Sequence, residues 1–239
     1  GRFPMIITMI TAFFCSGGVR AALVMTAVVA LSVGMTLIVT KLLSHTLLKG
    51  IPSSFTLELP PYRKPQVGKI IVRSIFDRTV FVLGRAVAVA APAGLIIWLL
   101  SNVHIGGASL IAHAADFLDP IGHLMGLDGA ILVAFILGLP ANEIVVPIII
   151  MQYLSQGTLS QLGSIAEIHS LFVVNGWTRV TAVCMIMFAL MHWPCSTTLL
   201  TVKKETGSMK WTILAAVIPT LAGFAACVLI NGAASLIGC

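Results

Sequence analysis

The sequence predicts an all-α protein that crosses a membrane several times and carries broken, re-entrant helices. Composition is the first ground: 58% of the 239 residues are hydrophobic and 9% are charged, with a mean hydropathy of +1.06. A soluble domain carries about 25% charged residues, and a 25.2 kDa sphere with so few could not cover its own surface in water. The second ground is run length. Several apolar stretches approach the ~20 residues that one helical crossing needs, and about four to six membrane elements fit the chain. The third is that two stretches are interrupted by proline beside polar side chains. Such breaks are tolerated at membrane depth only where protein or a water-filled cavity covers the freed backbone.

Residues 3–14 are apolar but too short to span, and they stop at Cys15-Ser16-Gly17-Gly18. Residues 19–43 are long enough to cross. A polar stretch, 44–78, follows, rich in proline and basic residues. Its Pro60-Pro61 pair fixes φ and holds the preceding residue extended. The reading is a stiff elbow at Pro60-Pro61-Tyr62, leading to an interfacial helix over 69–78 with Lys69, Arg73 and Asp77 four apart toward lipid headgroups. Residues 79–100 form a second span, loosened at Pro92. The segment 102–128 mixes glycines with three histidines and three aspartates, and a short surface helix is expected there. Residues 129–154 are apolar again around Gly138-Leu139-Pro140-Ala141-Asn142-Glu143. A second mixed segment, 156–177, precedes a span at 180–202 that Pro194 interrupts. A short basic connection, 203–210, leads to the last span at 211–230.

Charge sets the expected topology. Lys and Arg number 14 against 8 Asp and Glu, a net charge of +6. This excess is the cytoplasmic bias of membrane proteins, not the stripe of a nucleic-acid binder. Between 41 and 85 lie Lys41, Lys49, Arg63, Lys64, Lys69, Arg73, Arg78 and Arg85, whereas 86–178 contains no Lys or Arg. The loop 44–78 is therefore placed in the cytoplasm, and both mixed segments outside. Outside segments on both flanks of 129–154 mean that this stretch enters, breaks at Gly138-Leu139-Pro140 and returns. The stretch 180–202 then runs inward and delivers Lys203 and Lys204 to the cytoplasm. Five cysteines without paired local spacing do not form a secreted disulfide framework. No cleavable signal is visible, and Gly1 in place of Met points to a start inside something longer.

The chemistry is expected at the two breaks. Glu143 and Asn142 follow Pro140 inside an apolar run. A carboxylate at mid-bilayer costs about 2.5–3.5 kcal/mol and usually marks a pathway; the plainer alternative is a pairing with Arg179. At Trp193-Pro194-Cys195-Ser196, proline removes a backbone donor and frees a carbonyl one turn earlier to face a cation. Cys195 is a soft ligand suited to transition metals. Cys184, Met187, Met191 and Cys195 share one helix face, as a sulfur track or as ordinary packing. His192 adjoins the break. His113, Asp116, Asp119 and His123 could gather cations or form a solvated face. No phosphate loop, nucleophile elbow or His-Glu-x-x-His motif is present, so no nucleotide site is expected.

Four stretches carry a family resemblance. Glu58-Leu59-Pro60-Pro61-Tyr62-Arg63-Lys64-Pro65 resembles the loop before a span in the membrane half of ferrous iron transport protein B. Gly1-Arg2-Phe3-Pro4 is similar to the tail of that family's first Pro-Cys motif. Residues 138–146 resemble its second gate segment, where many members have Lys at the position of Asn142. Trp193-Pro194-Cys195, with Lys203-Lys204-Glu205-Thr206-Gly207-Ser208, resembles the second Pro-Cys motif and its basic tail. The resemblance implies a nucleoside-transporter-like gate fold moving Fe²⁺ into a bacterial cytoplasm across the inner membrane. It divides the chain into the end of a first gate repeat with a transmembrane helix (1–43), a cytoplasmic Pro-rich loop and interfacial helix (44–78), and a second repeat (79–239). It implies partners: an upstream G-protein domain that hydrolyses GTP, the first gate repeat, a small cytoplasmic accessory protein, and a second copy of the chain as an oligomer.

On this reading Cys195, Glu143 and Asn142 line the pathway at breaks made by Pro140 and Pro194, with His192, Met191, Met187, Cys184 and Ser196 as further lining. Three readings compete. A nucleoside or other small-solute carrier would need more hydrogen-bonding side chains at the breaks than Asn142, Ser196, Thr197 and Thr198 supply. A thiol-dependent membrane enzyme would pair Cys195 with His192, without an evident third group. A purely structural scaffold would have no use for two polar breaks.

Overall fold

The computed structural model describes residues 2–14, 18–46, 67–159 and 163–237. The Pro60-Pro61-Tyr62 elbow, the Glu58 to Pro65 string and Cys15 lie outside these residues. The chain divides into two compact units, Gly1–Met25 with Val89–Cys239, and Thr26–Ala88. Helices α1 (Phe3–Phe13), α2 (Gly18–Thr46), α3 (Val67–Ser74) and α4 (Phe81–Asn102) come first. They are followed by α5 (Leu110–Leu124), α6 (Gly129–Leu137), α7 (Val145–Tyr153) and α8 (Ile165–Val174), then α9 (Arg179–Met191), α10 (Ser196–Thr206) and α11 (Met209–Ile237). Among the described residues the only strands are β1 (His104–Ile105) and β2 (Ala108–Ser109), an antiparallel pair turned at Gly106-Gly107. Among the described residues three helical stretches are long and apolar enough to cross a membrane: Gly18–Leu42, Arg179–Thr206 and Met209–Leu236. A fourth is counted if α5 and α6, bent by 110°, make one broken span.

In the smaller unit, α2 carries Leu31, Val33, Leu37, Ile38 and Leu42 exposed. A continuous apolar surface of this kind needs lipid or protein against it. Part of the expected helix over 69–78 is present as α3. Helix α3 runs through a π-helical turn, Ile75–Val80, straight into α4.

The larger unit holds the core. Helix α6 is apolar on every side and buries Ile131, Leu132, Val133, Ala134 and Phe135, as a helix surrounded by protein must. It packs on α5 and α7. Helix α1 buries Met5, Ile6, Met9, Ile10 and Phe13 against α8 and α9, and α11 lies along α9 and α10. The segment 102–128 is more ordered than a short surface helix. Besides the β-hairpin it holds the 15-residue α5, capped by Ser109 accepting from the Ala112 N–H. Lys203 and Lys204 are likewise not in a connection but in the last turn of α10. There they complement the helix dipole, and the helix stops at Gly207 with φ 63°, the left-handed cap that glycine adopts without strain.

Candidate functional site

Two helix breaks face each other in the larger unit. At the first, α6 ends at Leu137 and the chain turns through Gly138-Leu139-Pro140-Ala141 into a 3₁₀ turn, Asn142–Ile144, before α7. At the second, α9 ends at Met191, and α10 begins at Ser196 after His192-Trp193-Pro194-Cys195. The Ser196 N–H, at the start of α10, donates to the Leu139 carbonyl over 3.0 Å. Backbone left without a helical partner at one break is thus satisfied by the other.

A side-chain contact lies beside this backbone bond. Asn142 and His192 are both buried, with His192 Nε2 3.3 Å from Asn142 Oδ1. The His192 ring is boxed by Phe135, Phe188 and Trp193 at centroid distances of 4.8, 5.7 and 5.7 Å. Its Nδ1 lies 3.1 Å from the Phe188 carbonyl and 3.0 Å from that of Ala189, so this nitrogen carries the proton. A neutral ring then offers Asn142 a lone pair and requires the amide NH₂ to face it; a doubly protonated ring donates to the amide oxygen. Both ring nitrogens are engaged away from Cys195, which leaves the thiol–imidazole pair of the enzyme reading unformed.

Cys195 is half-buried at the N-cap of α10, its Sγ 3.1 Å from Thr197 Oγ1 and 3.2 Å from Thr198 Oγ1. Glu143 is exposed at the start of the α7 half-helix, where the dipole favours a carboxylate. No hydrogen bond or ion pair joins Glu143 to Cys195 or Arg179 among the described residues. Nor do three His, Cys, Asp or Glu side chains there approach closely enough to cage a metal ion. The breaks bring Asn142 to His192 and Leu139 to Ser196, whereas no bond among the described residues joins Glu143 to Cys195.

The carbonyl that Pro194 deprives of its donor belongs to Leu190, one turn back. It accepts from Arg2 Nη1 at 2.7 Å, while Arg2 Nη2 reaches the carbonyls of His192 and Trp193 at 3.2 and 3.3 Å. The freed backbone does face a cation, but that cation is part of the chain. In the sequence Arg2 stood only within the Gly1-Arg2-Phe3-Pro4 resemblance and as a basic residue directly ahead of an apolar helix, neither of which pointed to these carbonyls.

Cys184 and Met191 pack against α11. Cys184 is fully buried, and its S–H lies 3.9 Å from the Cys227 carbonyl. The Cys227 thiol donates to the Cys184 carbonyl over 3.3 Å. Met191 lies against Gly223 of α11, where even an added Cβ would stand 3.1 Å from the Met191 Cβ. Cys184 and Met191 thus lie on the side of α9 that meets α11, and Met187 between them is half-buried. His113, Asp119 and His123 of α5 also have structural partners. Asp119 Oδ1 accepts from the Gly129 N–H at 2.9 Å, its other oxygen meets His123 at 2.9 Å, and His113 bonds the Ile105 carbonyl.

A polar chain that sequence reasoning did not anticipate lies at the far end of α6. Trp177 Nε1 donates to the Tyr153 hydroxyl over 2.7 Å, Tyr153 donates to Asp128 Oδ2, and Asp128 Oδ1 accepts from the Ile131 N–H. Burial pushes the Asp128 carboxyl above the ordinary value of 3.8, against the opposing pull of the Tyr153 and Ile131 bonds. A cavity of about 410 Å³ opens beside it, lined among others by His104, Asp116 and Gln152.

Apolar half-helices whose polar breaks touch define a broken-helix membrane gate, the construction in which transporters place their sites. The family described as Gate, nucleoside recognition, matches residues 83–209, and the ferrous iron transport protein B C terminus matches residues 25–77. The chain belongs to the Gate family and is a C-terminal membrane region of the ferrous iron transport protein B type. It is similar to the Fe(2+) transporter FeoB of Staphylococcus aureus strain MSSA476, 28% identical over 93% of this chain and 33% of that protein. The Fe(2+) transporter FeoB of Methanocaldococcus jannaschii is 27% identical over 78% of this chain and 28% of its own length. A Fe(2+) transport protein A/Fe(2+) transporter FeoB fusion protein of Porphyromonas gingivalis is 22% identical over 89% and 30%. The chain thus spans about a third of the relatives it matches. No solved structure matches it.

Proposed function

We propose that this chain forms the membrane pathway through which Fe²⁺ enters a bacterial cytoplasm, as a multi-pass part of an inner-membrane transporter. The observation that carries the reading is the meeting of the two breaks, Ser196 on Leu139 and His192 on Asn142. It comes from a family whose relatives are called Fe(2+) transporters. In this reading Cys195 is the soft ligand, Glu143 supplies charge at the mouth of the α7 half-helix, and Asn142 takes the place where many members have Lys. Fe²⁺ passes as cargo and need not rest in a closed cage. The division into 1–43, 44–78 and 79–239 belongs to the same proposal, with the last piece as the second gate repeat.

Energy would come from an upstream G-protein domain that hydrolyses GTP, joined to a first gate repeat, which accords with the length of the relatives. A small cytoplasmic accessory protein fits the fused arrangement in the Porphyromonas relative, and a second copy of the chain is a further candidate partner. In the full transporter, Cys195→Ser and Glu143→Gln should each lower ⁵⁵Fe²⁺ uptake by about tenfold or more, since weakening even the support of a metal ligand costs about 10–100-fold. Wild-type uptake in both variants at matched expression would refute the pathway assignment.

A further inference from the structure

The Arg2 contacts carry an inference beyond the pathway itself. Its main chain opens α1, with the Arg2 carbonyl accepting from the Ile6 N–H at 3.2 Å, while its side chain closes α9 by taking the carbonyls of Leu190, His192 and Trp193. Three converging carbonyls with no helical donor make an oxygen cradle of the kind that coordinates cations at broken membrane helices. A guanidinium satisfies them because it is a planar cation with several fixed donors. The same break holds two further polar atoms that are buried and have no partner, Ser196 Oγ and Trp193 Nε1. Such atoms are rare in a settled interior and call for an explanation. Ser196 Oγ is an oxygen ligand without a ligand, one residue from Cys195.

We propose that Arg2 is a tethered counter-cation that plugs this cradle, and that a divalent cargo ion takes the carbonyls of Leu190, His192 and Trp193, with Ser196 Oγ, when Arg2 withdraws. The inference rests on the transport reading above and adds to it a binding step and the part of the chain that gates it. Two cations cannot share three carbonyls at these distances, because like charges so close repel strongly in a medium of low dielectric constant. Occupancy by Arg2 and by cargo is therefore exclusive. Because α1 carries Arg2 and packs on α8 and α9, any movement of α1 along α9 exposes the cradle.

The test uses the intact transporter that contains this chain, purified in detergent, with Mn²⁺ as the probe read by electron paramagnetic resonance. Arg2→Gln should bind Mn²⁺ at least about tenfold more tightly than wild type, millimolar methylguanidinium should displace that Mn²⁺ while urea does not, and Arg2→Lys, which keeps the charge but loses the planar fork, should bind Mn²⁺ more weakly than Arg2→Gln. Unchanged Mn²⁺ affinity in a folded Arg2→Gln protein, or indifference to methylguanidinium, overturns the proposal. If Arg2→Gln does not fold, methylguanidinium and Mn²⁺ are each supplied during solubilisation. Recovery with each ion supports a cation cradle open to cargo, whereas recovery with methylguanidinium alone, or with neither, overturns it. Failure of the transport reading shows elsewhere, as normal Fe²⁺ uptake by Cys195→Ser.

Discussion

Gly138 shows how tightly the first break is drawn. Its φ is an ordinary −75°, so what it supplies is room. A Cβ there would stand 2.5 Å from Val145 Cγ2 and 2.9 Å from the Ala134 carbonyl. Overpacking of this kind costs about 1–3 kcal/mol. Gly138→Ala should lower the melting temperature in detergent, and Val145→Ala should restore part of the loss by removing the nearer clash. A Gly138→Ala protein as stable as wild type would show that the returning half-helix does not press on this turn. Pro140 and Glu143 could be picked out from sequence because each is chemically conspicuous in an apolar run. Gly138 could be named as a break but not as a contact, since the atom it avoids belongs to the far side of the turn.

Among the elements, α6 packs against α5 and α7, and its start is secured twice. Asp128 caps it through the Ile131 N–H, and Asp119, from α5, takes the Gly129 N–H. Two of the four orphan donors of a helix start are thereby met by carboxylates, which the dipole favours. Gly129 allows the close crossing: a Cβ there would fall 1.9 Å from the Ala115 carbonyl. Burial raises the Asp128 pKa above 3.8 in the folded protein. The folded state therefore holds the proton to higher pH than the unfolded chain does. Stability is greatest below 3.8 and falls as pH rises through the raised folded value. Asp128→Asn keeps a capping oxygen for Ile131 and removes the titration. The stability of wild type relative to Asp128→Asn should therefore decline as pH climbs from about 4. Melting curves of both proteins across that range check it, and a pH-independent difference would contradict the assignment.

For the whole molecule the open quantity is sidedness. The absence of Lys and Arg from 86–178, set against the basic residues on either side of that stretch, predicts Lys64 and Lys203 on the cytoplasmic side and Asp116 and Glu167 outside. Cysteine introduced singly at these four positions and labelled from each face of the membrane should react accordingly. Outside labelling at 203 together with inside labelling at 116 would reverse the arrangement. The same experiment bears on the bent pair α5–α6. If Asp116 and Glu167 label from one side, then α6 and α7 enter and return as half-helices.

The all-helical membrane character, the apolar stretches behind most of the helices and the residues of both breaks were legible in the chain alone. The reason is that they are one-dimensional properties: run length, charge spacing and the chemistry of proline do not depend on what lies across the bundle. Which break residue meets which did depend on it. Asn142 and His192 stand fifty positions apart and Arg2 and Leu190 stand 188 apart, and no spacing rule links such pairs. Cys184 and Met191 could be read along the helix as a sulfur track or as ordinary packing, and only the tertiary structure shows α11 lying against that face at Cys227 and Gly223. The carbonyl freed by Pro194 was foreseeable from the missing N–H. That an arginine from the other end of the chain would take it was decided only by the packing of α1 on α9, because a buried carbonyl without a donor must find one wherever the fold brings it.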